Sequence, residues 1–290
     1  MALDHYVSQV HLKNFYAESL GSRLYAIRKA DLHPFPAASS AICRIDDGST
    51  NTYLTEPRVI EEFLKEIEPK YNKAITWLTT TPAVDHTLLF ALSGFIAYVL
   101  SCSPTAMRTH ADQLASTLEE TARQLDKRGQ IAAPPPSLAG ATLTELLNNR
   151  KITIDVDPKY PQAIGIAQIF SSAQTLGNFH WEVLINEHAD SPFFTSDFPV
   201  TIEEGEHPFI LNRIVPLTPR IAVRLRPRLD VDPSEMDFSY AYFTKRLMKV
   251  SRNEVMAVNR LIVRCAEKLV FYSQDLPWIK GFVKKTPPTG

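Results

Sequence analysis

AAPPPSLAGA, residues 132–141, divides the chain into halves with different hydrophobic periods. Its prolines and glycine interrupt any regular element, so it reads as a linker joining a lobe over 1–131 to a lobe over 142–290. Upstream, apolar residues recur at helical spacing. Thr55 with Pro57 marks a helix start, and Ile60, Phe63, Leu64 and Ile67 form one stripe. Pro69 must kink or break that run, and Tyr71, Ala74, Ile75 and Leu78 continue it. The apolar run Leu88–Leu100 reads as a buried core helix, too short to span a bilayer. After Ser103-Pro104 a further helix carries Met107, Ala111, Leu114, Leu118 and Leu125 on one face.

Downstream the pattern changes. A helix over Ala163–Leu176, with Gly177 at its C-terminal cap, precedes runs of β-branched and aromatic residues at Phe179–Ile185, Phe193–Thr195, Phe209–Leu217 and Ile221–Leu225. Ser234–Glu267 reads as one long helix and Leu269–Tyr272 as a last strand. Helices first and strands later predict an α+β fold: a helical N-terminal half, then a mainly antiparallel sheet with helices.

Composition narrows the function classes. The chain has 290 residues, 44% of them hydrophobic and 22% charged, which excludes global disorder. A net charge of −1 gives no whole-chain attraction to nucleic acid or membrane. Cys43, Cys102 and Cys265 are scattered and form no CxxC, as expected of a reducing, cytoplasmic location. Asp4 near the start, with no apolar run behind it, is unlike a signal peptide. GxxxxGK[ST], GxGxxG, HExxH and GxSxG are all absent. His180-Trp181-Glu182 lacks the PCxxC of zinc deaminases, and Pro158 spoils the nuclease-like Asp155–Lys159 step.

Charge is unevenly placed. Between His180 and Glu206 there are acids and no Lys or Arg, whereas Arg213–Lys268 is rich in both. Arg224, Arg226 and Arg228 recur at period two, and Lys245, Lys249 and Arg252 at helical spacing. Such a surface suits a phosphate backbone; alternatively, the acidic and basic runs pair within the fold.

DHYVSQVHLKNF (4–15) followed by LYAIRK (24–29) resembles the opening of the mainly bacterial domain-of-unknown-function family numbered four-two-three-eight. Members typically begin His-Tyr-Val-Pro-Gln-x-x-Leu-(Lys/Arg)-Asn-Phe. TYLTEPRVIEEFLKEIE (52–68), FFTSDFPVTI (193–202), NRIVPLTPRIAVRL (212–225) and AVNRLIVRCAEKLVFYS (257–273) are similar to its later blocks. Ser8 stands where proline is usual, and Phe198 where asparagine is usual. The resemblance implies one unit over nearly the whole chain and brings no activity with it.

The resembling segments supply the candidate residues. Ser8 is expected to cap a helix over Gln9–Leu20 that buries Leu12, Phe15, Tyr16 and Leu20. His5 and Tyr6 precede that cap, where an anion is favoured, and His5 is a candidate base or ligand. Glu61, Glu68 and Asp197 are candidate carboxylate ligands for Mg or Mn, with His5, Glu68 and Asp197 as the catalytic set. Gln9, Asn14, Asn259, Arg220, Arg224 and Arg226 complete the candidate binding residues. Two functions follow. One is a metal-dependent phosphodiesterase or nuclease holding nucleic acid through the basic C-terminal region. The other is a non-enzymatic binding or regulatory protein with a protein partner, in a defence or mobile-element setting.

Overall fold

The computed structural model describes residues 3–132, 134, 137, 140–205 and 210–286. The expected linker falls in good part outside these residues, as does Phe209. The chain opens with β1 (Leu3–His5), α1 (Gln9–Lys13), β2 (Leu24–Arg28), β3 (Pro34–Ala37) and β4 (Arg44–Asp46). Next come α2 (Val59–Ile67), α3 (Tyr71–Thr80), α4 (His86–Cys102), α5 (Pro104–Lys127) and α6 (Leu143–Asn148). Helices α7 (Lys159–Ala167) and α8 (Ile169–Gly177) lead into β5 (His180–Ile185), β6 (Thr195–Ser196), β7 (Thr201–Glu204), β8 (Leu211–Thr218) and β9 (Ile221–Arg226). The chain closes with β10 (Thr244–Lys249), α9 (Arg252–Cys265), β11 (Leu269–Tyr272) and α10 (Trp278–Lys284). The class is α+β.

The larger sheet has five strands in the order β10-β5-β9-β8-β7. Only its edge pair, β10 with β5, is parallel; the other pairs are antiparallel. Alternation along β5 and β9 sends Trp181, Val183, Val223 and Leu225 to one face, where α2, α3, α4 and α8 cover them. Leu184 and Ala222 face the opposite way, onto α9 and α10. A four-stranded antiparallel sheet, β3-β2-β11-β6, joins the N-terminal strands to the C-terminal β11 and packs beneath Leu12 and Phe15.

Helix α4 is the central post. Its buried residues run from Leu88 to Cys102 almost without interruption, as the apolar run predicts, and Asp85 caps it by accepting the Leu88 N–H. Pro69 breaks the upstream run through a 3-10 turn over Glu68–Lys70, which separates α2 from α3. Among the described residues no single helix is long and apolar enough to cross a membrane.

Several local expectations are corrected. Helix α1 stops at Lys13, so Leu20 lies beyond it in a 3-10 turn and is not part of a helical stripe. Helix α2 starts after Arg58, whose guanidinium is engaged by Asp4, Glu61 and Thr50, and not after Thr55. The outer half of α5 leaves Leu118 and Leu125 exposed. Gly177 ends α8 within the helix, and Asn178 is the cap residue. A Cβ at 177 would strike the Tyr240 ring, so close packing explains this glycine. The expected long helix over Ser234–Glu267 is interrupted by β10, and only Arg252–Cys265 is α-helical.

Candidate functional site

The N-terminal motif folds as a knot against α2, α3 and α4. Strand β1 pairs with β4, setting His5 opposite Arg44. The His5 Nε2–H donates to the Ser39 carbonyl at 3.2 Å, and Tyr98 of α4 donates to the His5 carbonyl at 2.7 Å. Burial holds the His5 imidazole below its ordinary pKa, against the opposing pull of the Ser39 hydrogen bond and of Glu68 and Asp4. A neutral ring with its proton on Nε2 leaves the Nδ1 lone pair as an acceptor.

Ser8 occupies the N-cap position of α1, but its side chain makes no capping hydrogen bond. Its hydroxyl donates instead to Glu68 Oε1 at 2.5 Å, joining α1 to the Pro69 turn. Arg58 Nε donates to Glu61 Oε2 at 3.0 Å and an Arg58 amino group to Asp4 Oδ1 at 3.1 Å. Burial disfavours the Asp4 charge, yet the Ser49 N–H and Arg58 together hold its carboxyl below the usual range. Asp4, His5, Gln9, Glu61 and Glu68 line one cleft of about 320 Å3. The Gln9 Oε1 accepts from Ser39 Oγ at 3.3 Å. Four candidates, His5, Gln9, Glu61 and Glu68, thus share a cleft.

Asp197 does not join them. Its two oxygens accept three backbone N–H groups, from Glu267 at 2.9 Å, Lys268 at 2.7 Å and Leu269 at 2.9 Å. It clamps the turn between α9 and β11. Burial pushes its pKa up to about 6 despite those donors. Its charge acts on Tyr6 and Cys43, whereas His5 feels Asp4 and Glu68. Tyr6 contacts the Cys43 thiol, and burial raises both groups. The expected ligand set of Glu61, Glu68 and Asp197 is therefore not assembled. Among the described residues no three His, Cys, Asp or Glu side chains converge as metal ligands.

The amide candidates bind the protein itself. Asn14 Nδ2 donates to Asn72 at 2.9 Å. Asn259, fully buried, accepts the Phe194 N–H at 2.8 Å and donates to the Pro192 carbonyl at 2.9 Å. The arginines do likewise. Arg224 reaches Glu182 at 2.8 Å and Glu203 at 2.8 Å, Arg226 reaches Glu182 at 2.8 Å, and Arg220 donates to the Asn186 carbonyl at 3.3 Å. Glu182 and Arg224 are cross-strand partners in the β5–β9 register. Lys249 pairs with Glu187, and Arg252 with Asp190. The acidic and basic runs thus meet at Glu182, Glu187, Asp190 and Glu203, whereas the exposed Arg220 is held by a carbonyl.

His11 was missed by the sequence reasoning. It is completely buried, with Nδ1 2.8 Å from the Tyr71 hydroxyl and Nε2 2.8 Å from Thr195 Oγ1, and its ring stacks on Phe95. Burial pushes its pKa down to about 3. The available signal was spacing: His11 and Phe15 are one turn apart and their rings are in contact, so His11 belongs to the buried stripe.

The comparisons agree with the sequence motifs. A search of the curated proteins and a search of the solved structures each found no match. The family described as "Protein of unknown function (DUF4238)" matches residues 4–275, nearly the whole chain. The knot built on His5, Ser8 and His11 and the clamp at Asp197 both fall within that span, and the chain belongs to the DUF4238 family.

Proposed function

We propose that this chain is a non-enzymatic binding protein of the cytosol. The observation that carries the reading is the state of its polar residues. Asp197 is occupied by three backbone amides, Glu61 by Arg58, Glu68 by Ser8, and Arg224 and Arg226 by Glu182. Groups so engaged act as joints between elements, most strongly at the buried Asp197, whose detachment would leave three amides without their acceptor. The cytosolic placement is supported by three free thiols, with Cys43 and Cys102 buried.

The enzymatic alternative, a phosphodiesterase or nuclease, keeps one supporting observation. His5, Glu61 and Glu68 line one cleft, and His5 offers a neutral Nδ1 there. Incubating the full chain with DNA and RNA in Mg or Mn separates the two readings. The binding reading expects intact nucleic acid. Metal-dependent cleavage that is lost in Glu68→Gln would overturn it.

A further inference from the structure

A larger cleft lies away from His5, along the four-stranded sheet where β2 and β11 approach the end of α10. Its volume is about 1070 Å3, of the order of ligand sites in general. Leu32, Phe35, Ile42, Leu269 and Val283 form an apolar floor. Arg28, Lys29, Lys268 and Lys284 stand around it, with Glu267 the sole carboxylate among the described lining residues.

Glu267 offsets that rim only in part. It is already held by Arg108 at 3.2 Å and by the Thr105 hydroxyl at 3.0 Å. Lys29 is turned to the end of α9, donating to the Ala266 carbonyl at 2.5 Å. The remaining cations are only loosely committed. Lys268 is 77% exposed and 3.5 Å from Glu267, and Arg28 meets Asp31 in a pair that is half-exposed on both sides. Exposed pairs of this kind contribute little, because water screens them, so an incoming anion can replace them. Lys284 is exposed on α10.

We propose that this cleft binds a free amphipathic carboxylate, its tail over Leu32, Phe35, Ile42, Leu269 and Val283 and its head among Arg28, Lys268 and Lys284. A purely apolar ligand makes no use of the exposed cations, and a small anion leaves the floor wet. Only the combination matches both. The inference rests on the binding-protein reading and names its ligand class.

The test is calorimetric titration of the full chain with decanoate, kept below its micelle concentration, beside decanol and acetate. Saturable decanoate binding is expected, with decanol and acetate about tenfold weaker or worse. The double variant Lys268→Glu/Lys284→Glu changes exposed side chains and should melt like the parent while losing about tenfold in affinity. Absent decanoate binding, equal binding of decanol, or an unaffected double variant each overturns the proposal. So does binding of phosphatidylglycerol vesicles or of an acidic peptide in place of decanoate. None of these results bears on nucleic-acid cleavage, so the broader reading fails or survives separately.

Discussion

Replacing His11 with leucine should change how stability depends on pH, and the expected size follows from the burial of the ring. The imidazole has no contact with water, and its pKa falls from the usual 6.5 to about 3. In the unfolded chain the group protonates below 6.5; in the folded protein it stays neutral until about 3. The unfolded state therefore binds more protons throughout this window, and folding stability falls as the pH falls. Each unit of pH below 6.5 costs about 1.4 kcal/mol, so lowering the pH from 7.5 to 5 removes about 2 kcal/mol through His11. His11→Leu lacks that dependence but leaves the Tyr71 and Thr195 hydroxyls without their partner, a loss of about 2–4 kcal/mol at any pH. The difference in unfolding free energy between parent and variant, from urea titrations at the two pH values, should thus shrink by about 2 kcal/mol at pH 5. Taking the difference cancels the other titrating groups. That includes Asp197, whose raised pKa gives a stabilisation that is lost as the pH rises through about 6. A difference unchanged between pH 7.5 and 5 would refute the buried, neutral assignment of His11.

Other substitutions probe the remaining joints. Asp197→Ala should lose about 2–5 kcal/mol at pH 7 by urea unfolding, because three amides at the α9–β11 turn lose their acceptor. Arg224→Ala removes one partner from each of Glu182 and Glu203, leaving Arg226 on the first and the Asn212 amide on the second, and should lose about 1–3 kcal/mol, with part of the loss restored by adding Glu182→Gln. Ser8→Pro should stay within about 1 kcal/mol of the parent in thermal and urea unfolding. Its φ of −55° already suits proline, and the reduced freedom of the unfolded chain offsets the lost bond to Glu68.

Local pattern carried most of the fold, and long-range partnership carried what the pattern missed. Helix α4 was legible because it is apolar on all sides, which a centrally packed helix must be. Strand β11 was legible from Leu269–Tyr272. Strand β10 was not, since it is an edge strand with Lys245, Arg246 and Lys249 in place of an apolar face, and those charges happen to recur at helical spacing. Around the site, His5, Glu61 and Glu68, picked out from the sequence motifs, line one cleft. The motifs could not show that Asp197 is committed to amides some 70 residues away, nor that Ser8 bonds a carboxylate 60 residues on in place of its own helix. His11 was overlooked for the same reason, as its partners at Tyr71 and Thr195 are remote in the chain. The charge asymmetry was visible, but the strand register that sets Glu182 opposite Arg224 was not.

The most direct test of the account asks whether the polar residues are joints or ligands. Calorimetric titration of the full chain with manganese chloride at neutral pH distinguishes the two. With Glu61, Glu68 and Asp197 committed elsewhere, no saturable heat of binding is expected. Stoichiometric manganese binding that disappears in Glu68→Gln would contradict the account.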